Sequence, residues 1–76
     1  MSNVIHINKD NDYLIKSIIK SKSSIKDAMH CVAKSPIHIA FVVDNKNRFI
    51  GTVTDGDIRR GILKGHNLSS SIKNII

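Results

Sequence analysis

The chain has no tryptophan, one tyrosine, two phenylalanines, one proline and one cysteine among its 76 residues, and none of its six acidic residues is a glutamate. Each scarcity closes off a class of protein. With so few rings, a core must be built from isoleucine, valine and leucine, and a platform of stacked aromatics for single-stranded nucleic acid has no material. Cys31, the lone cysteine, has no partner for an intrachain disulfide and no metal-ligand spacing around it. That excludes a disulfide-stapled scaffold and fits a reducing, cytoplasmic setting. No apolar run approaches the length of a membrane span, and residues 1–12 mix polar and apolar types, unlike a signal peptide. The missing glutamate removes the distal ligand of a calcium loop, so the acidic run at Asp55 and Asp57 is not part of one.

Six aspartates stand against twelve lysines and arginines, for a net charge of +6. A basic balance favours anionic partners. The lysines are spread along the chain and are not interleaved with aromatics, the pattern of a solvated surface and not of a nucleic-acid interface. A small basic nucleic-acid binder is therefore the outlying alternative. The length allows one small domain with a core near the lower limit for independent stability.

Along the chain, residues 4–8 alternate weakly, as a short edge strand does. Residues 9–12 break it, and Asp12 caps one or two helical turns expected over 13–19. A polar connector follows at 20–24. The clearest helix begins after Ser24, with Asp27 completing a capping box, and Ile25, Ala28, Met29, Val32 and Ala33 share one face. Ser35 and Pro36 end it. Residues 37–43 are too continuous and too β-branched for anything but a buried strand, with His38 a hydrogen-bonded core histidine. Residues 44–48 read as a turn and 49–53 as the returning strand of a hairpin.

That strand runs into the stretch around which the chain is organised. Thr54 stands at an N-cap position with Asp57 three residues on, and Gly65 fits the C′ position of a short helix carrying Arg59, Arg60 and Lys64. Two uses of this spacing stay open. It is a plain capping box, or it is a ribose-phosphate site, in which the helix-start N–H groups and Thr54 take a phosphate and Asp57 the ribose hydroxyls. An internal echo adds to the picture: residues 15–19 return nearly unchanged at 72–76, 57 positions later (72 minus 15), with 69–71 as linker.

The run from Gly51 to Asp57 resembles the glycine–hydrophobic–x–Ser/Thr–x–x–Asp signature of CBS domains, and Thr54 to Arg60 is similar to the version fused to sugar-phosphate isomerases and sugar nucleotidyltransferases. Thr52 departs from the family's usual aliphatic residue, and Phe41 from its proline before Val42, Val43 and Asp44. The resemblance covers about residues 13–76. It implies an α+β fold, the β-α-β-β-α motif that is one half of a CBS pair. The expected division is an N-terminal extension at 1–12, one motif at 13–71, and the start of a following segment or second motif at 72–76. It further implies a non-catalytic regulatory module that needs no cofactor and takes an adenine nucleotide (AMP, ADP or ATP). Thr54, Asp57 and Arg60 would face ribose and phosphate, and the backbone of Ile39, Ala40 and Phe41 the adenine. The partners it implies are a second copy, as a homodimer through the helices, and a second motif or catalytic domain of a nucleotidyltransferase-type enzyme. No catalytic residues and no metal ligands are expected. The competing reading is an interaction domain whose Thr54 and Asp57 do no more than cap a helix.

Overall fold

The computed structural model describes residues 15–76. The strand expected at 4–8, the Asp12 cap and the first part of the helix expected over 13–19 lie outside them. The described elements are β1 (Ile18–Lys20), α1 (Ile25–Lys34), β2 (Ile39–Val43), β3 (Phe49–Thr54), α2 (Asp55–Leu63) and a single 3-10 turn at Ile72–Asn74. This is the α+β, β-α-β-β-α order. The three strands form one sheet in the order β1-β2-β3, with β1 parallel and β3 antiparallel to the central β2.

One expectation is corrected at the start. Ile18 and Ile19 are strand and not helix: they pair with Phe41 and Val42, and the Phe41 N–H donates to the Ser17 carbonyl at 2.6 Å. Two adjacent β-branched residues suit a pleated surface, and a tertiary partner decides between that and a helical turn.

Both capping boxes form. The Asp27 N–H donates to Ser24 Oγ at 3.2 Å and the Ser24 N–H to Asp27 Oδ2 at 3.0 Å. Of the predicted α1 stripe, Ile25, Ala28 and Val32 are buried, whereas Met29 is 43% exposed and Ala33 is exposed. The stripe is thus narrower than its sequence. Cys31, off the stripe, is half-buried against the core.

The connection from α1 to β2 corrects a second expectation. The strand starts at Ile39 and not at 37, because Ser35 organises a turn. Its hydroxyl is paired with Ser17 Oγ at 2.7 Å in a buried site and accepts the Ile37 and Ile39 N–H groups at 3.3 and 3.4 Å. His38 is the turn residue, exposed and at φ 58°, rather than a core histidine. In the hairpin, Asp44 Oδ1 accepts the N–H groups of Lys46 and Arg48, Asn47 takes φ 61°, and the register slips between Val42 and Val43 so that Ile50 is the extra residue.

The core lies between the sheet and the two helices. It joins Ile19, Ala40, Val42 and Val53 of the strands to Ile25, Ala28, Val32 and Ile58 of the helices, with Ile72 completing it. Ile72 arrives because the chain after α2 turns sharply at Gly65, which at φ +103° gives the helix a Schellman ending: Gly65 N–H to the Ile62 carbonyl and His66 N–H to the Gly61 carbonyl. The returning chain then bonds across the start of α1, through Lys26 N–H to the Leu68 carbonyl, Ile25 N–H to Ser70 and Ile72 N–H to Ser23. Ile75 and Ile76 press so closely on Gly61 and Gly51 that a Cβ at either glycine would collide with their Cγ2 methyls. Since Ile72 is 0% exposed, Ile72→Ala is expected to cost about 2–5 kcal/mol of stability. Urea denaturation reads this directly, and a loss below about 1 kcal/mol would remove the tail from the core.

Candidate functional site

No loop separates β3 from α2. Thr54 is the last strand residue and the N-cap at once, with extended backbone (φ −120°, ψ 170°). The helix's first N–H groups therefore open directly beside the sheet, and the junction side chains must serve them. The Asp57 N–H donates to Thr54 Oγ1 at 3.3 Å, while Asp57 Oδ2 accepts the Thr54 N–H at 2.9 Å and its hydroxyl at 3.0 Å. One turn further, Arg60 Nη2 donates to Asp57 Oδ1 at 2.6 Å. Burial by itself would push the Asp57 carboxyl up. The Thr54 N–H, the Arg60 guanidinium and the Thr54 hydroxyl outweigh that and hold it below the ordinary carboxylate value. Asp57 is thus an anion held by neighbours on both oxygens.

Thr54, Asp57 and Arg60 are brought together, as their helical spacing requires. Ile39 stands opposite Thr54 in the β2–β3 register, so it lies next to the junction. Ala40 points the other way: it pairs with Val53 and is fully buried in the core. Phe41 pairs with Thr52, is half-buried on the sheet face away from the core, and lies 6.3 Å from the Phe49 ring. The N–H groups of Ile39 and Phe41 are used internally, by Ser35 Oγ and the Ser17 carbonyl. What β2 offers a neighbour here is the side chains of Ile39 and Phe41 and not those two N–H groups.

The groove beside Asp57 has a volume of about 210 Å³, with Asp57, Arg60, Gly61 and Lys64 on one wall and Asn74, Ile75 and Ile76 on the other. Lys64 was legible in principle, since 57, 60, 61 and 64 follow the i, i+3, i+4, i+7 spacing of one helix face. Asn74 was not, because only the tertiary course of the tail brings it there. Elsewhere, burial pushes the Cys31 thiol up, away from nucleophilic use. Among the described residues no group of three or more His, Cys or Asp side chains converges as metal ligands do, and no helix is long and apolar enough to cross a membrane.

Comparison with known proteins places this geometry. The chain is 36% identical over 56 residues to an uncharacterized protein of Helicobacter pylori strain J99, and 34% identical to its counterpart in strain 26695. Each match takes in 74% of this chain but only 17% of the relative's length. Among solved structures, Staphylococcus aureus OpuCA superposes with a TM-score of 0.63 at 26% identity, over 76% of this chain and 46% of the OpuCA chain. The sequence profile of the CBS domain matches residues 2–64. With the fold order, the glycine-to-aspartate run and the threonine-capped helix start all in place, the chain belongs to the CBS domain family.

Proposed function

We propose that this chain is an adenine-nucleotide-sensing CBS motif that regulates a larger enzyme. CBS domains are non-catalytic, commonly regulatory and nucleotide-binding, and they typically pair or dimerise. The observation that carries the reading is the junction itself: a threonine, an ionised aspartate and an arginine on one helix start at the rim of a groove. In this reading the ribose hydroxyls go to Asp57, the phosphate to Thr54, the helix-start N–H groups and Arg60, and the adenine to Ile39 and Phe41 and the backbone of Ala40 between them. AMP, ADP and ATP are the ligand class. The motif takes in 13–71, and 72–76 packs back on it through Ile72, Ile75 and Ile76. By the likeness of the Thr54 to Arg60 string, the larger protein is a cytoplasmic enzyme of the sugar-nucleotidyltransferase type. Its regulation works by linkage: a nucleotide shifts the assembly only as far as its affinities for two arrangements differ.

A second copy is the proposed partner, through the helices. Met29 on α1 (43% exposed) and Ile62 and Leu63 on α2 (41% and 79%) leave apolar surface on both helices. An isologous contact would cover it. Sedimentation at micromolar concentration should give twice the 8.4 kDa chain mass, and a stable monomer there would sink the homodimer.

One observation favours a purely structural reading: the acceptor atoms of Asp57 are already engaged within the cap. A thermal shift with AMP, ADP and ATP on the parent and on Asp57→Asn separates the two. At about a hundred times its dissociation constant a ligand adds roughly 2.7 kcal/mol, or about 10–20 °C in a domain this small. The nucleotide reading expects that shift in the parent and its loss in Asp57→Asn, whose fold survives because Asn keeps an oxygen for the Thr54 N–H. The absence of a shift from all three nucleotides would leave a capping box alone.

A further inference from the structure

Among the described residues, hydrogen bonds fasten the chain after α2 to the body of the fold as far as Ile72 and no further. Leu68, Ser70 and Ile72 bond to residues at the start of α1, and Ser71 forms a strand bridge with Ser24. Beyond Ile72 the bonds of the tail are its own. The Asn74 N–H and Nδ2 donate to the Ser71 carbonyl, the Lys73 N–H to Ser71 Oγ, and the Ile75 and Ile76 N–H groups to the Ile72 carbonyl. Two side chains therefore hold residues 73–76 down. Ile75 seats on Gly61 in α2, and Ile76 on Gly51 in β3.

Neither glycine is required by its own backbone. Gly65 is the one glycine at positive φ, while Gly61 and Gly51 lie inside a helix and a strand, where glycine is unfavourable. Their seating of the two isoleucines accounts for them. A tail that merely frayed would need no matched seats, and a tail belonging wholly to the core would be buried to its end. Among its isoleucines, exposure instead rises from 0% at Ile72 to 47% at Ile76, with Ile75 half-buried between them. The seated residues are also one side of the groove. Asn74, Ile75 and Ile76 face Asp57, Arg60, Gly61 and Lys64 of α2, a helix fixed in the core by Ile58.

We propose that residues 73–76 are a strap hinged after Ile72, which opens the groove by leaving its two glycine seats while the domain stays folded. Closed, the strap supplies the far wall of the groove. Open, it removes that wall and bares Gly51 and Gly61. An occupant that needs the wall favours the closed strap, by no more than its difference in affinity for the two states. The device rests on the seats alone and stands whether or not a nucleotide binds at Asp57.

Relaxation dispersion and chemical shifts of the isoleucine methyls in the parent, Gly61→Ala and Gly51→Ala test this. In the parent, Ile75 and Ile76 should exchange on the microsecond-to-millisecond scale while Ile25 and Ile72 do not. Alanine at position 61 improves the helix and blocks the seat, so Gly61→Ala should stay folded with the strap driven off. Its Ile75 and Ile76 methyls should move most of the way to their positions in urea, with Ile25 and Ile72 unmoved. Its urea midpoint should fall much less than that of Ile72→Ala. Gly51→Ala should release Ile76 in the same way from the strand side. Shifts at Ile25 and Ile72 as large as those at Ile75, or a loss of stability equal to that of Ile72→Ala, would make the tail a fixed part of the core and overturn the strap. Flat dispersion at Ile75 and Ile76 in the parent, or parent-like shifts there in both variants, would overturn it too.

Discussion

A strand that becomes a helix without a loop must satisfy the helix's first N–H groups from the junction itself, and the rest of this molecule is arranged around that constraint. Thr54 meets it from the strand side and Asp57 from the helix side. Because both are fixed by backbone geometry, the position of Asp57 against β2 is set by the sheet, and Ile39 opposite Thr54 is set with it. The same box occurs at α1, where Ser24 and Asp27 repeat the geometry. The two differ in what stands near. Among the described residues Asp27 forms no ion pair, whereas Asp57 holds Arg60 and borders a groove. Identical caps thus stand in different surroundings.

The second constraint is coverage. Two short helices on a three-stranded sheet leave a gap at the core's edge, and the tail closes it with Ile72. The tail's close approach explains two glycines that no turn requires: Gly51 and Gly61 lack a side chain because Ile76 and Ile75 occupy that space. The residues that complete the core therefore also form the far wall of the groove. Stability of the tail and shape of the groove are physically one matter.

Much of this was legible in sequence. Ser24 and Asp27, Thr54 and Asp57, and Gly65 announce helix ends through local chemistry, and local chemistry is what a linear reading sees. The hairpin was legible for the same reason, from two β-branched runs about a polar turn. The failures share the opposite cause. Ile18 and Ile19 become strand only because the edge of β2 is there to receive them, and His38 leaves the strand only because Ser35 and Ser17 meet across the fold. Met29 and Ala33 fall on the apolar stripe by spacing, yet the core is too narrow to reach them. At the candidate site, Thr54, Asp57 and Arg60 lie within two helical turns, so their meeting was legible; the approach of Asn74 depends on the tail's path and was not.

The junction also sets a conflict that neither a cap nor a binding site has alone. A carboxylate that caps a helix is most stabilising when its hydrogen bonds are complete, and one that binds a ligand needs acceptor positions left over. Asp57 divides its oxygens: Oδ2 is committed to Thr54, and Oδ1 to an arginine whose side chain is 64% exposed. An exposed ion pair is worth little to stability, about 0–1 kcal/mol, so giving it up threatens the fold far less than giving up the cap. An arginine one turn along suits this division better than a lysine would. Its planar fork reaches Oδ1 with one nitrogen and leaves its other donors to solvent.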